Sequence, residues 1–203
     1  MESNILLEGA PETVIIDKRE IPIDTRWQVG IRVLIALDDP RLSEEEKIYL
    51  LLLNYYSEAG GTINPFILSN VEEAISRVSL FLNLNQKKKP KYINNKEKEH
   101  VTRTFDWNYD APKVISDFQR EYSIDLLNPR CEMHWWRFWA LFTNLSDTSQ
   151  TIQVISIRGA KPNKNMSKNE KDLLKRRQQE VLLPARTEEE ALHLTNFVWS
   201  ING

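Results

Sequence analysis

The stretch Met133-His-Trp-Trp-Arg-Phe-Trp-Ala-Leu-Phe142 contains three of the six tryptophans of this 203-residue chain. Four of its large aromatic residues recur at i, i+3, i+4 and i+7, and they therefore share one face of a helix: Trp135, Phe138, Trp139 and Phe142. Each such side chain buries roughly 150–250 Å² when it is packed. The stretch therefore predicts a core helix. Trp136 lies about 100° away from that face, so it either meets a second helix or stays partly wet.

Helix signals of the same kind surround this block. Patterns of the capping-box type, Ser or Thr followed three residues later by Glu, occur four times and predict helix starts at Ser43, Ser69, Ser167 and Thr187. Apolar stripes predict four more helices, which begin near Asp24 (an N-cap candidate), Asp110, Cys131 and Ser146.

Two β-branched stretches, residues 13–16 and 20–23, flank a polar segment near the N-terminus. They predict a β-hairpin, and Pro22 fits an edge strand of it. The predicted fold class is mainly α: an N-terminal β-hairpin followed by about eight helices in a bundle or array. An α+β arrangement is the alternative for the N-terminal part.

Composition narrows the class of protein. The chain is 41% hydrophobic and 28% charged with a formal charge of −2, which is compatible with a packed core. A single cysteine excludes an internal disulfide. The longest apolar run, residues 48–53, is far shorter than the roughly 20 residues that span a bilayer. The sequence therefore predicts a soluble intracellular protein.

Charge divides the chain. The first 83 residues contain 14 acidic and 7 basic residues, whereas residues 84–104 and 161–177 each contain 7 basic and 2 acidic ones. We predict a hairpin-plus-helix region at 1–86, a basic linker or loop at 87–104 and a Trp-rich helical region at 105–203. The alternative is that both halves pack as one domain. The basic segments 87–98 and 171–177 also allow a nucleic-acid-binding module, although few aromatic residues interleave with them.

The search for reactive groups finds one constellation. Cys131 and His134 lie within one helical turn, but they lack a partner pair for a metal and any oxyanion hole. Asp106, Asp110, Asp117 and Asp125 are each explained as a cap, a turn residue or a solvated side chain. The sequence therefore predicts no enzyme, no catalytic residue, no metal and no cofactor.

Several motifs together resemble the phage gene-fifteen-type (Gp15) family of tail-region proteins from long-tailed phages and prophages. They are, in chain order, Phe105-Asp-Trp-Asn-Tyr-Asp110, Phe118-Gln-Arg-Glu-Tyr-Ser-Ile-Asp-Leu126, Met133-His-Trp-Trp-Arg-Phe138 and Leu145-Ser146. The resemblance covers about residues 10–180. One departure is Ser123, where the family pattern has a glycine that would allow a left-handed helix end. Residues 181–203 lie beyond the resemblance.

The resemblance implies a gene just upstream of the tape-measure gene, the position of tail assembly chaperones. The expected function is therefore a non-enzymatic chaperone that binds the long helical tape-measure protein in the host cytoplasm and is absent from the mature virion. A structural tail or connector component is the alternative. The proposed partner-binding residues are Trp107, Tyr109, Trp135, Trp136, Arg137 and Trp139. The basic segments could also bind acidic client segments or the acidic part of another copy, so self-association or an upstream tail chaperone is a further expected interaction.

Overall fold

Ten helices and one β-hairpin make up the residues that the structure describes. The computed structural model describes residues 5–57, 61–85 and 103–202, with side chains as far as residue 195. The elements are α1 (Ile5–Glu8), β1 (Thr13–Ile16), β2 (Arg19–Pro22), α2 (Trp27–Asp38), α3 (Glu44–Tyr56), α4 (Pro65–Leu68), α5 (Val71–Leu82), α6 (Ala111–Tyr122), α7 (Trp135–Thr143), α8 (Gln150–Gly159), α9 (Lys168–Glu180) and α10 (Glu188–Asn202).

This architecture confirms the mainly α prediction. All eight predicted helices are present, and the hairpin lies where the β-branched stretches indicated. Two short helices, α1 and α4, are additional because four residues are too few to show a helical period. Most of the predicted basic linker, residues 87–104, lies outside the described residues.

The chain divides into two compact units. Unit 1 comprises Met1–Asn94 together with Glu132–Thr143, and unit 2 comprises Asn95–Cys131 together with Asn144–Gly203. Helix α7 therefore belongs to unit 1, whereas the sequence-based division placed it with residues 105–203. The reason is tertiary, because the aromatic face of α7 completes the core of unit 1.

The hairpin of unit 1 is closed by a two-residue loop. Asp17 and Lys18 both have positive φ (43° and 63°), the backbone that joins two strands most tightly. Thr13 pairs with Pro22 and Ile16 with Arg19 in the antiparallel register. Pro22, which lacks an N–H, is thus accommodated at the end of a strand.

The predicted capping contacts form completely at two positions, whereas at three others the helix start or its cap differs from the prediction. Full capping boxes form at Ser43 and Ser167. Ser69 does not begin a helix, because it ends α4 and its hydroxyl donates to the carbonyl of Pro65. Thr187 accepts from the Glu190 amide, but the Glu190 carboxylate binds the Arg186 amide instead of completing a box. Asp24 binds Arg26 instead of capping α2.

Each unit has its own apolar core. In unit 1 the hairpin and α2, α3, α5 and α7 contribute the buried residues Ile16, Val29, Val33, Leu51, Leu52, Tyr55, Tyr56, Val78, Phe81, Trp135, Trp136 and Phe138. In unit 2, α6 and α8 and the segments around them contribute Val114, Phe118, Leu126, Leu145, Val154 and Leu183. Helix α9 has no buried residue.

Candidate interaction surfaces

The two adjacent tryptophans of α7 are core residues. Trp135 and Trp136 are both buried, and their indole N–H groups donate to the carbonyls of Leu82 (3.2 Å) and Phe81 (2.8 Å). These carbonyls belong to the last turn of α5, where helix carbonyls lack intrahelical partners. The pair thus docks α7 onto the end of α5. The sequence left two possibilities for Trp136, contact with a second helix or partial exposure to solvent. The structure shows the first, because Trp136 contacts α5.

The predicted aromatic face of α7 is present. Trp135, Trp139 and Phe142 stack in succession, with ring centroids 5.1 and 5.6 Å apart, and Trp27 of α2 stacks on Phe138 at 5.0 Å. Trp139 is half-buried, whereas Arg137 projects into solvent. Among the predicted partner-binding residues of unit 1, Arg137 alone is fully on the surface.

The other two predicted residues, Trp107 and Tyr109, belong to unit 2, so neither unit contains all six. Trp107 packs edge-on against Phe105, with centroids 4.8 Å apart. The Asp106 carboxylate accepts from the amide of Tyr109 (2.9 Å), and this turn presents the Tyr109 ring with 48% of the residue exposed. The Lys113 ammonium lies 5.3 Å from the centre of that ring. Tyr109 is therefore a defined surface aromatic.

Sequence reasoning missed a buried ion pair in unit 2. Asp110 is fully buried at the start of α6 and accepts two hydrogen bonds from Arg158 of α8, at 2.6 and 3.0 Å. Lys113 and the Asp106 amide also donate to it. Burial alone would raise the pKa of Asp110, but these hydrogen bonds and the positive charge of Arg158 outweigh burial, and the pKa is lowered. Asp110 is thus held as a carboxylate.

Asp117 has an equally structural role. Its buried carboxylate accepts from the amides of Gln150 (3.0 Å) and Thr151 (2.8 Å), the first two residues of α8. A carboxylate from α6 therefore satisfies free amides at the start of another helix. No local signal could reveal this cap, since it joins residues more than 30 positions apart.

His134 is also engaged in the structure of unit 1. Its Nδ1 accepts from the Trp136 amide (3.0 Å), and its Nε2 lies 3.1 Å from the carbonyl oxygen of Pro11. These contacts fix the ring as the tautomer protonated on Nε2. Cys131 belongs to the other unit. Within residues 5–57, 61–85 and 103–202, no group of three or more His, Cys, Asp or Glu side chains is placed to hold a metal.

A surface that sequence reasoning did not single out lies on the helical hairpin of unit 1. Helices α2 and α3 pack side by side and are joined by five residues, so the end of α2 lies beside the start of α3. Large apolar side chains are exposed in both segments: Leu37, Ile48 and Tyr49, the last with 55% of the residue exposed. We name these three residues the α2–α3 surface. The sequence feature that could have indicated this surface is the apolar run 48–53, which begins with Ile48 and Tyr49.

Comparison with known protein families matches residues 7–183 to the family described as Bacteriophage Gp15 protein. The match covers most of the chain and both units. The chain therefore belongs to a bacteriophage protein family, and that family is Gp15. No curated protein and no solved structure matches it. In the part of the chain that the structure describes, no helix has the length and apolar character needed to cross a membrane.

Proposed function

We propose that this Gp15-family chain is a non-enzymatic tail assembly chaperone that binds the tape-measure protein and keeps it soluble in the host cytoplasm. The observation that carries the proposal is the α2–α3 surface. The apolar residues of α3 extend beyond its core-facing side: Leu51, Leu52 and Tyr55 are buried, whereas Ile48 and Tyr49 are exposed.

The chemistry of this surface suits a helical client. An amphipathic helix binds an apolar surface through side chains at i, i+3, i+4 and i+7. The α2–α3 surface offers two aliphatic residues and one aromatic residue to such a stripe. Glu44 and Glu45 lie at its edge in the first turn of α3 and favour a client with basic residues beside its apolar stripe.

Only some of the six partner-binding residues predicted from the sequence are kept as direct client contacts in this proposal. Tyr109 and Arg137 are the exposed members of that set, and we propose them as additional client contacts. Trp135 and Trp136 act indirectly by holding α7 in unit 1. Trp107 and Trp139 are half-buried, and the proposal gives them a minor part in client binding.

Co-expression with the downstream tape-measure protein tests the proposal. We expect the client to be soluble and to co-purify with the wild-type chain, and Tyr49→Glu to reduce its soluble yield at least several-fold. Tyr109→Glu makes the same substitution at a similarly exposed tyrosine of the other unit, and because Tyr109 is only an additional contact in this proposal, it is expected to reduce the soluble yield less than Tyr49→Glu. Loss of binding with Tyr109→Glu alone would move the client site to unit 2.

The structural-component alternative makes a different prediction about assembled particles. A chaperone is absent from purified virions, whereas a tail or connector component is present at a fixed copy number. Detection of the chain in purified particles by mass spectrometry, together with no effect on client solubility, would contradict the chaperone proposal.

A further inference from the structure

The β-hairpin of unit 1 has one edge with unpaired backbone groups. The Ile23 amide donates to the Glu12 carbonyl at 3.0 Å, and in an antiparallel pair every second residue bonds its partner in this way. The N–H and C=O groups of Thr13 and Ile15 in β1 therefore point away from β2. They make no hydrogen bond with any other residue that the structure describes. This edge of β1 can accept a further strand.

The outer edge of β2 is less suited to pairing. Pro22 lies opposite Thr13, so its nitrogen is on the outer side of β2 and carries no hydrogen. A strand added there would lack one donor, whereas the edge of β1 keeps both of its N–H groups. The two edges of the hairpin therefore differ, and β1 has the edge with complete hydrogen-bonding capacity.

A cavity lies along the same edge of β1. Its lining includes Thr13, Val14 and Ile15 of β1 and Arg77, Leu80 and Phe81 of α5, and no residue of β2 that the structure describes. Val14 and Ile15 point to opposite faces of the hairpin, so a cavity that both residues line lies at its edge. The volume is about 180 Å³, less than the roughly 300–1,000 Å³ of small-molecule sites and suited to one or two side chains. We name these six residues the β1–α5 groove.

Helix α5 forms the other wall of the β1–α5 groove. The Asp17 amide in the hairpin loop donates to the Glu73 carboxylate at 2.9 Å, and Arg77 donates to the same carboxylate at 2.7 Å. The Nε of Arg77 is buried and has no hydrogen-bond partner among the described residues. Because Glu73 already balances the charge of Arg77, this wall favours a ligand oxygen that accepts a hydrogen bond more than it favours a net negative charge.

We propose that the β1–α5 groove binds an extended segment of a partner protein, which joins the hairpin as a third strand. Thr13 and Ile15 offer two N–H donors and two C=O acceptors to the backbone of that segment. An aliphatic side chain of the segment fills the cavity against Leu80 and Phe81. A carboxylate, amide or hydroxyl oxygen of the same segment accepts from the Nε of Arg77.

The occupant is a single extended segment and not a strand of a second copy. A β1 strand from a second copy would bring its own α5 to the side on which the two strands pair, so the two helices would compete for the same space. A helix does not fit the edge either, because its backbone groups are bonded internally. The inference therefore stands apart from the proposed function, in which a helical client binds the α2–α3 surface.

Selection from a random peptide library tests the inference. Peptides of roughly eight residues are selected on the full chain, and we expect binders that combine an aliphatic residue with an oxygen-bearing side chain. Ile15→Pro is expected to weaken a selected peptide by roughly tenfold or more, because it removes an outward N–H and its ring obstructs pairing. Glu20→Pro is the matched control, since it removes the outward N–H of the opposite edge, and it should leave the affinity unchanged.

Hydrogen exchange of the wild-type chain gives a measurement that does not depend on the folding of a variant. The amides of Thr13 and Ile15 are expected to exchange readily in the free chain and roughly tenfold more slowly when the selected peptide is saturating. The Glu20 amide should exchange equally in both states. Tyr49→Glu should leave peptide binding unchanged, so failure of this inference is distinguishable from failure of the proposed function.

Three results would overturn the inference: no enriched peptide, an equal loss of affinity in Ile15→Pro and Glu20→Pro, or amides of Thr13 and Ile15 that are already protected in the free chain. Dimers that dissociate in Ile15→Pro, without any peptide binding, would also overturn it and would assign this edge to a second copy.

Discussion

At the scale of single residues, Ser123 at the end of α6 occupies the position where the family pattern has a glycine. Ser123 adopts the left-handed conformation (φ 57°, ψ 31°), and its amide donates to the carbonyl of Gln119 at 3.2 Å. The next amide, of Ile124, donates to Phe118 at 3.3 Å. The turn that a glycine would permit therefore forms with serine, and the serine side chain makes it strained.

Replacing this serine by glycine is expected to stabilise the protein. Ser123→Gly should raise the free energy of unfolding by about 0.5–1 kcal/mol, because relief of the left-handed strain exceeds the added entropy of the unfolded chain. Chemical denaturation measures the change. Ser116→Gly, the same substitution at an exposed interior position of α6, should instead cost about 0.5–1 kcal/mol. Equal effects of the two variants would contradict this account.

A glycine in α2 is required for a different reason. Gly30 is buried where the indole of Trp135 crosses α2, and a Cβ at this position would overlap that ring. Close approach of α2 and α7 therefore depends on the missing side chain. Gly30 was not singled out by the sequence, since its φ is ordinary and its partner lies more than 100 residues away.

At the scale of elements, helix caps separate two sequence signals that look alike. Ser43 and Ser69 both begin a Ser-x-x-Glu pattern in unit 1, but only Ser43 forms the box, accepting from the Glu46 amide at 3.2 Å. The helix after Ser69 begins at Val71 with Asn70 as its cap residue. An extra turn, α4, displaces the helix start.

The two serines are expected to respond differently to alanine. Ser43→Ala should lower the free energy of unfolding by about 1 kcal/mol, because the Glu46 amide loses its acceptor. Ser69→Ala should cost much less, since its exposed hydroxyl is replaced by water at the Pro65 carbonyl. Thermal and denaturant unfolding of both variants checks this difference. A larger loss of stability for Ser69→Ala than for Ser43→Ala would contradict the assignment of Asn70 as the cap residue of α5.

The Asp110–Arg158 pair joins the start of α6 to the end of α8 and makes unit 2 sensitive to acid. Because the pKa of Asp110 is lower in the folded protein than in the unfolded chain, its contribution to stability is complete above the unfolded value of about 3.9. That contribution is lost as the pH falls through the folded value. Unfolding in acid is therefore expected to begin below about pH 4.

Removing the charge tests this link. Asp110→Asn should lower the free energy of unfolding at pH 7 by about 3–5 kcal/mol, because it leaves Arg158 buried without its partner. It should also flatten the dependence of stability on pH between about 5 and 2. Asp147→Asn, at an exposed aspartate, is the control and should change neither quantity. A wild-type acid profile in Asp110→Asn would assign the transition to other carboxylates.

At the scale of the whole molecule, each unit is assembled from two separate segments of the chain. Unit 1 needs residues 132–143, because α7 supplies Trp135, Trp136 and Phe138 to its core. Segments that are distant in the sequence therefore pack in the same unit, and neighbouring segments belong to different units. Division of the sequence at its basic segment cannot recover this arrangement.

Fragments of unit 1 are expected to reveal the contribution of α7. Residues 1–94 alone should lack a cooperative unfolding transition, since loss of three large buried aromatic residues removes several kcal/mol. Joining residues 132–143 to this fragment through a Gly/Ser linker of about 15 residues should restore the transition in circular dichroism. The same fusion carrying Trp135→Ala is the matched control and should not restore it.

Local sequence signals were sufficient to predict the main elements and the family. Helical periodicity, capping residues and β-branched stretches act over a few residues, so the eight longer helices and the hairpin can be read locally. The order of the aromatic motifs likewise indicates Gp15, and the family match confirms it. The helical face shared by Trp135, Trp139 and Phe142 follows from spacing alone.

Which of these residues are buried and which face solvent depends on how the helices pack, and this follows from contacts between distant parts of the chain. The Asp110–Arg158 pair joins positions 48 apart, and the Trp136–Phe81 hydrogen bond joins positions 55 apart. Such pairings depend on the path of the chain between helices, for which local sequence carries no signal. For the same reason Trp135 and Trp136, which were proposed as partner contacts, lie in a core, while Tyr49 reaches the surface.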